Sequence, residues 1–324
     1  VAGKGRSLYT ARSPAGWAVY LNGVRLGRVY DAVAGLQARE DSVPGTAFVG
    51  RREDGWHVVV DGREGPPHAW VQELKLAARA SRAAWLAGDL DVMSLYVDGQ
   101  PILGPEPELG GLRMSPEGRA VAVIVRRDGR DAAWRDGRLH RSFDRIRDET
   151  FILTPRGLGY VAEAGARALP IVPGVEPRDF ESVEDFQHEA GWGFIGWDKG
   201  AFVYVRGEWS RHSRAYDLRL GPLGGWAYAA ESPSGEWVHT PRGADGPYRE
   251  VVEGTLTLSQ NGESYAALVL DGREVWLLVN GVLKQPYDPR VVIHLGMSSS
   301  LSWWEPLAPM RAWLARQAET GERG

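Results

Sequence analysis

The chain has 324 residues, 43% hydrophobic and 25% charged, with a formal net charge of −4 and no cysteine. This is the composition of an ordinary globular protein, and it excludes disulfides, zinc–thiolate and iron–sulfur ligation and thiol nucleophiles. The acidic balance lacks the basic footprint of a nucleic-acid binder, and the longest apolar runs, such as "VWLLV", fall far short of the ~20 residues of a membrane helix.

The N-terminal stretch "VAGKGRSLYTARSPAG" has no apolar core of a signal peptide. The chain begins at Val1 rather than methionine, which leaves room for a removed leader. Lack of cysteine fits a reducing compartment, and a cytoplasmic location is expected.

From "SLYTA" onward, short β-rich runs end on glycine turns. The recurring glycines are Gly23, Gly62, Gly99, Gly137, Gly174, Gly207, Gly243 and Gly281, separated by 39, 37, 38, 37, 33, 36 and 38 residues. Asn22, Asp61, Asp98, Asp136 and Asn280 precede five of them. Asn-Gly and Asp-Gly between β-rich runs signal two-residue hairpins, because both turn residues need positive φ. Pro173, Arg206 and Arg242 depart from that chemistry. A second punctuation lies upstream at "SPAG" 13–16, "REDG" 52–55, "SPEG" 115–118, "TPRG" 154–157, "SPSG" 232–235 and "SQNG" 259–262, where proline presets φ and glycine suits the exit. A third mark follows the hairpin, an aromatic and often an acid: "VYDAV", "SFDRI", "RDFESV", "AYDL", "PYREVV" and "PYDPRVV".

The clearest unit, Gly111 to Ile146, reads as four short antiparallel strands, and the unit near Thr255 repeats its order. Four strands per repeat of roughly 40 residues is the signature of a propeller blade. The expected fold is therefore an all-β β-propeller of four-stranded antiparallel blades. The hairpin glycines predict eight blades, or seven if one irregular copy between Leu158 and Glu253 is not a blade. The first unit reads as incomplete, so "RVVIHLGMS" (290–298) is expected to close the ring by pairing with the N-terminal blade. Residues 1–300 then form one domain. Beyond it, "PLAPMRAWLARQA" places Leu307, Met310 and Leu314 at helical spacing, giving one short C-terminal helix in a 301–324 tail packed on the propeller.

The order "S-P-x-G … D-G … V-D-G … Y-D" resembles the TolB-type propeller repeat, over about residues 8 to 298. The resemblance implies a propeller, often a binding platform, and no catalytic residues. The usual aspartate of its first turn is replaced by Ala15, Glu117, Arg156 and Ser234. The likeness to WD repeats stops at fold, since "GWD" at 196–198 lacks a matching Gly-His, and no "GxSxG" elbow exists.

No HExxH, P-loop, EF-hand loop or dinucleotide-binding G-x-G-x-x-G following a strand is found. The candidate binding residues are His188 and Glu189 in "FQHEAGW", Trp197 in "GWGFIGWDKG" and His212, placed in a long connection. His188, Glu189 and His212 would form a polar cluster near the channel, able to hold a metal or act as acid–base, and the aromatic, glycine-rich stretch that holds Trp197 could stack sugars or bases. Against this, adjacent strand residues point to opposite faces, so His188 and Glu189 diverge, and tryptophans of a strand pair commonly fill core. The acids Asp31, Asp144, Asp217 and Asp288 recur after the aromatic, and as turn residues they accept backbone amides. Asp89 and Asp91 in "GDLD" have too few oxygens for a calcium loop and read as an exposed turn.

These features predict a non-enzymatic, monomeric binding or scaffold protein, with no cofactor and no metal, that engages a protein or peptide partner and neither nucleic acid nor membrane. The alternative is a propeller hydrolase or lyase acting on a sugar or lactone, its site at one mouth of the central channel. Fold alone does not choose between them.

Overall fold

A computed structural model describes residues 2–3, 6–39, 45–259, 262–272 and 274–286. These form eight successive antiparallel sheets, seven of four strands and the last of five. Among the described residues the single helical element is the 3₁₀ turn Asp148–Thr150, and no helix is long and apolar enough to cross a membrane. The architecture is all-β, with the blade topology of a β-propeller. Every copy between Leu158 and Glu253 forms a sheet, which gives the higher of the two expected blade counts. The segment expected to close the ring and the C-terminal helix lie outside the described residues.

The chain divides into two compact units, residues 1–165 with 171–174, and 166–170 with 175–324. Sheets one to four lie in the first and sheets six to eight in the second. In the first sheet the short strand Ala2–Gly3 pairs with Arg6–Ser13, so this blade carries four strands of its own.

Turn chemistry explains the regular hairpins. Asn22, Asp61, Asp98, Asp136 and Asn280 all take positive φ, between 46° and 51°, ahead of a positive-φ glycine. Each then does a second job. Its side-chain oxygen accepts the amide of the residue fifteen positions earlier, at the start of the second strand: Ser7, Thr46, Ala83, Val121 or Tyr265, at 2.7–2.9 Å. The backbone N–H of the same turn residue returns a bond to that residue's carbonyl. Asparagine and aspartate are thus selected both for the left-handed backbone and for the short acceptor. Arg206 keeps the turn geometry (φ 54°) and the backbone bond to Trp192, but its guanidinium donates to the Gly224 carbonyl instead.

Where an aromatic follows the hairpin, it joins neighbouring sheets. Tyr30, ending the fourth strand of sheet one, packs edge-on against Phe48 in the second strand of sheet two. Phe143 meets Tyr160 in the same way, and Phe180 meets Phe194. Such rings each bury a large apolar area and prefer this T-shaped arrangement. Where the sequence puts histidine at that position the joint turns polar: His68 lies against Tyr96, and His212 against Tyr228.

The recurring acids are largely structural, but not all in equivalent places. Asp144 accepts the Gly165 amide at 2.6 Å. Asp217 is not a post-hairpin acid: it sits inside the first strand of sheet seven, at a bulge with φ 56°. From there it accepts the Gly254 amide of the eighth sheet, and burial raises its pKa. The position of "AYDL" in the repeat was misassigned because His212, not Tyr216, ends the preceding blade. Asp288 lies outside the described residues. The turn between Asp89 and Val92 is exposed, with Leu90 91% accessible.

Candidate binding site on the sixth sheet

Three of the four candidate residues fall on one sheet, built from Ser182–His188, Trp192–Trp197, Ala201–Val205 and Glu208–His212, and Glu189 follows its first strand. The alternation of side chains along these strands divides it into two chemically distinct faces. Ile195, Ala201, Val203 and Val205 make an aliphatic face that packs on Ala215, Leu218, Tyr228 and Ala230 of sheet seven. The opposite face is aromatic: Phe186 and Phe194, Phe194 and Tyr204, and Tyr204 and Trp209 lie with centroids 6.2, 5.3 and 5.0 Å apart.

Glycine makes this packing possible. A Cβ on Gly196 would lie 2.6 Å from the Phe180 ring, and one on Gly193 would lie 3.0 Å from Leu218. Gly191, Gly193 and Gly196 spell G-x-G-x-x-G, but two of them lie inside the strand Trp192–Trp197. A phosphate loop needs that motif at a strand-to-helix turn, so here the glycines serve sheet packing.

The structure separates the four candidates into two groups. His188 pairs across the strand with Trp192 and lies 4.5 Å from its ring, at one end of the sheet. Glu189 has left the strand; its amide bonds the Gly191 carbonyl and its side chain is exposed. At the other end, Trp197, Ala201 and His212 stand in one cross-strand row. Trp197 packs on the aliphatic cluster, with its indole N–H buried and without a hydrogen-bond partner among the described residues. His212 ends a strand rather than lying in a long connection.

Around His212 the structure adds residues that no linear motif marked. Its Nε2 is 3.2 Å from the Tyr228 hydroxyl, which also meets Ser210 Oγ at 3.0 Å. The His239 ring stacks on Tyr228 at 4.9 Å, almost parallel, and lies 4.9 Å from His212. Burial, with His239 alongside, pushes the His212 pKa down to about 4, and burial lowers that of His239. Both imidazoles are neutral at pH 7, and the cluster offers hydrogen bonds rather than charge. No group of three or more His, Cys, Asp or Glu side chains suited to a metal occurs among the described residues. A cavity of about 560 Å³ opens next to it, lined by Lys199, Arg211, His212, Ser213 and the Glu231–Pro233 turn.

Charge enters from the aromatic side of the same edge strand. The Arg178 guanidinium lies over the Phe202 ring at 4.0 Å, and that of Arg211 lies over it at 5.1 Å. Tyr204 pairs with Trp209, which is 43% exposed. Neither Arg178 nor Arg211 makes an ion pair among the described residues. The two nearby carboxylates, Asp179 and Asp198, are instead drawn to Arg167 at 3.0 and 3.7 Å. Sequence reasoning missed this patch, although the alternation in "EWSRH" was its signal: Trp209 and Arg211 share one face, Ser210 and His212 the other.

No family model matches the chain, and no curated protein matches it in sequence. Among solved structures it is similar to the β-propeller domain of the Trilobed protease from Pyrococcus furiosus, at 11% identity over 92% of this chain and 100% of that one, with a TM-score of 0.33. It is also similar to the acylaminoacyl peptidase of Pyrococcus horikoshii (10% identity, 79% of this chain, TM-score 0.35), of which it spans about half, 52%. TolB from Acinetobacter baumannii is a third, with 11% identity over 86% of this chain and 78% of that one and a TM-score of 0.26. At these scores the similarities say nothing about what this protein binds or does.

Proposed function

We propose that this protein is a non-enzymatic propeller that binds a protein or peptide segment at the edge of its sixth sheet. The observation that carries this reading is the exposed Trp209 beside a Phe202 ring with two guanidiniums over it that have no ion-pair partner among the described residues. Trp and Arg are the side chains that dominate binding hot spots, because each combines a large contact area with directional donors. A platform reading is also supported by the acids that recur in the sequence. Asp61, Asp98 and Asp136 are engaged with backbone amides inside their own sheets, and the Glu236 carboxylate accepts from Tyr216 and from the Val251 amide at 2.5 and 2.6 Å. Those carboxylates stabilise blades rather than face a substrate.

The test is affinity capture from the native host, with wild-type protein and a Trp209→Ala/Arg178→Ala/Arg211→Ala variant as parallel baits. A partner retained by the wild type and lost by the folded variant is the expected result. Recovery that is equal with both baits would refute this placement of the binding surface.

A further inference from the structure

The chemistry of the patch narrows its partner. We infer that the Arg178–Phe202–Arg211 cluster, together with Trp209, takes an acidic peptide segment in which carboxylate side chains flank an apolar or aromatic anchor. The inference rests on the proposed binding role of this edge and adds the class of partner. Its first support is charge. Arg167 draws in the local carboxylates Asp179 and Asp198, which leaves Arg178 and Arg211 with their donors unneutralised. Both guanidiniums lie over the Phe202 ring, at 4.0 and 5.1 Å, and neither makes an ion pair among the described residues, so N–H groups are available to a planar acceptor. A carboxylate matches that edge in a bidentate manner. Lys199, at the mouth of the adjoining cavity, extends the positive strip.

The second support is the apolar component. Trp209 lies two residues from Arg211 on the same face of the strand Glu208–His212, and it rests on Phe194 and Tyr204, so the exposed ring is held in one place. A rigid aromatic anchor beside fixed cations favours a short segment with one large side chain and neighbouring acids over a diffuse polyanion.

Selection of a random dodecapeptide display library on the full-length protein tests this. Enriched peptides should carry Asp or Glu beside an aromatic or aliphatic residue. Their affinity should fall roughly tenfold or more with Arg178→Glu/Arg211→Glu, recover only in part with Arg178→Lys/Arg211→Lys, which restores charge but not the bidentate fork, and weaken as salt is raised. Thermal unfolding of each variant confirms that it is folded, and Trp209→Ala supplies an independent loss without a charge change. A benzophenone on the selected peptide should crosslink to the strand Glu208–His212.

Peptides that need Trp209 but are indifferent to charge reversal would overturn the acidic assignment while leaving the binding edge in place. Peptides that ignore all these variants would overturn both. Tighter binding of a labelled single-stranded oligonucleotide at the patch would overturn the assignment to a peptide. So would a concentration-dependent dimer in light scattering that Trp209→Ala abolishes, which would make the occupant a second copy.

Discussion

The fourth and sixth sheets share a strand order and a hairpin geometry yet use their side chains differently. The fourth fills its second strand with Val121, Val123, Ile124 and Val125, and its last hairpin turns at Asp136, whose carboxylate pins the Val121 amide of the same sheet. The sixth fills the equivalent strand with Trp192, Phe194, Ile195 and Trp197, and turns at Arg206, whose guanidinium reaches the Gly224 carbonyl of the next sheet. The backbone tolerates both: Asp136 and Arg206 have φ of 46° and 54°. The turn's shape therefore depends on its glycine and the strand twist, while the amide clamp is an added stabiliser that the repeat retains where a blade only has to be a blade.

Core deletion should separate the two sheets most. Phe194→Ala removes a ring that contacts Phe180, Phe186, Tyr204 and Trp209, and should lower unfolding free energy by about 3–5 kcal/mol. Val123→Ala in the fourth sheet should cost less, about 2 kcal/mol, because it removes only two methyl groups. Urea unfolding followed by circular dichroism measures both, and equal losses would remove the distinction.

Next in size is the turn clamp. Asp136→Ala leaves the Val121 amide without its acceptor and should destabilise by about 1–2 kcal/mol. Asp136→Asn should restore most of that, as Asn22 and Asn280 already make the same bond. Arg206→Ala keeps the backbone bond to Trp192 and, at an exposed position, should change stability by only about 0.5 kcal/mol. A larger loss for Arg206→Ala than for Asp136→Ala in the same denaturant series would reverse this ranking.

A pH dependence at the joint between sheets six and seven tests the same comparison from another side. His212 titrates at about 4 when folded, because burial disfavours its charged form, against ~6.5 in the unfolded chain. Between those values the unfolded state binds the extra proton. Stability is therefore fully present above pH 6.5 and declines as pH falls toward 4. His212→Gln should flatten that part of the profile without changing the slope from other groups. An unchanged slope in thermal midpoints between pH 4 and 6.5 would mean that His212 is not the source.

Much of the fold was legible because its determinants are local. Asp98-Gly99 needs only its own φ values and an amide fifteen residues back, so spacing alone located the hairpin. Tyr30, Phe143 and Tyr248 likewise mark strand ends by position. The repeat became unreadable where local chemistry changed but geometry did not: Arg206 turns as Asp98 does, and His212 occupies the place of Tyr30. Trp197 and His212 were singled out and do share a row, whereas His188 and Glu189 lie at the other end of the sheet, one in the strand and one beyond it. Tyr228, His239 and Ser210 come from different strands of two sheets, and no spacing rule links them.

The sequence by itself determined an all-β chain of eight repeats, because turn residues and strand alternation act over a few bonds. Only the tertiary structure decided which polar groups stay available. That depends on whether a carboxylate such as Asp179 meets Arg167 or Arg178, and on whether a neighbouring sheet buries a ring or leaves it in water.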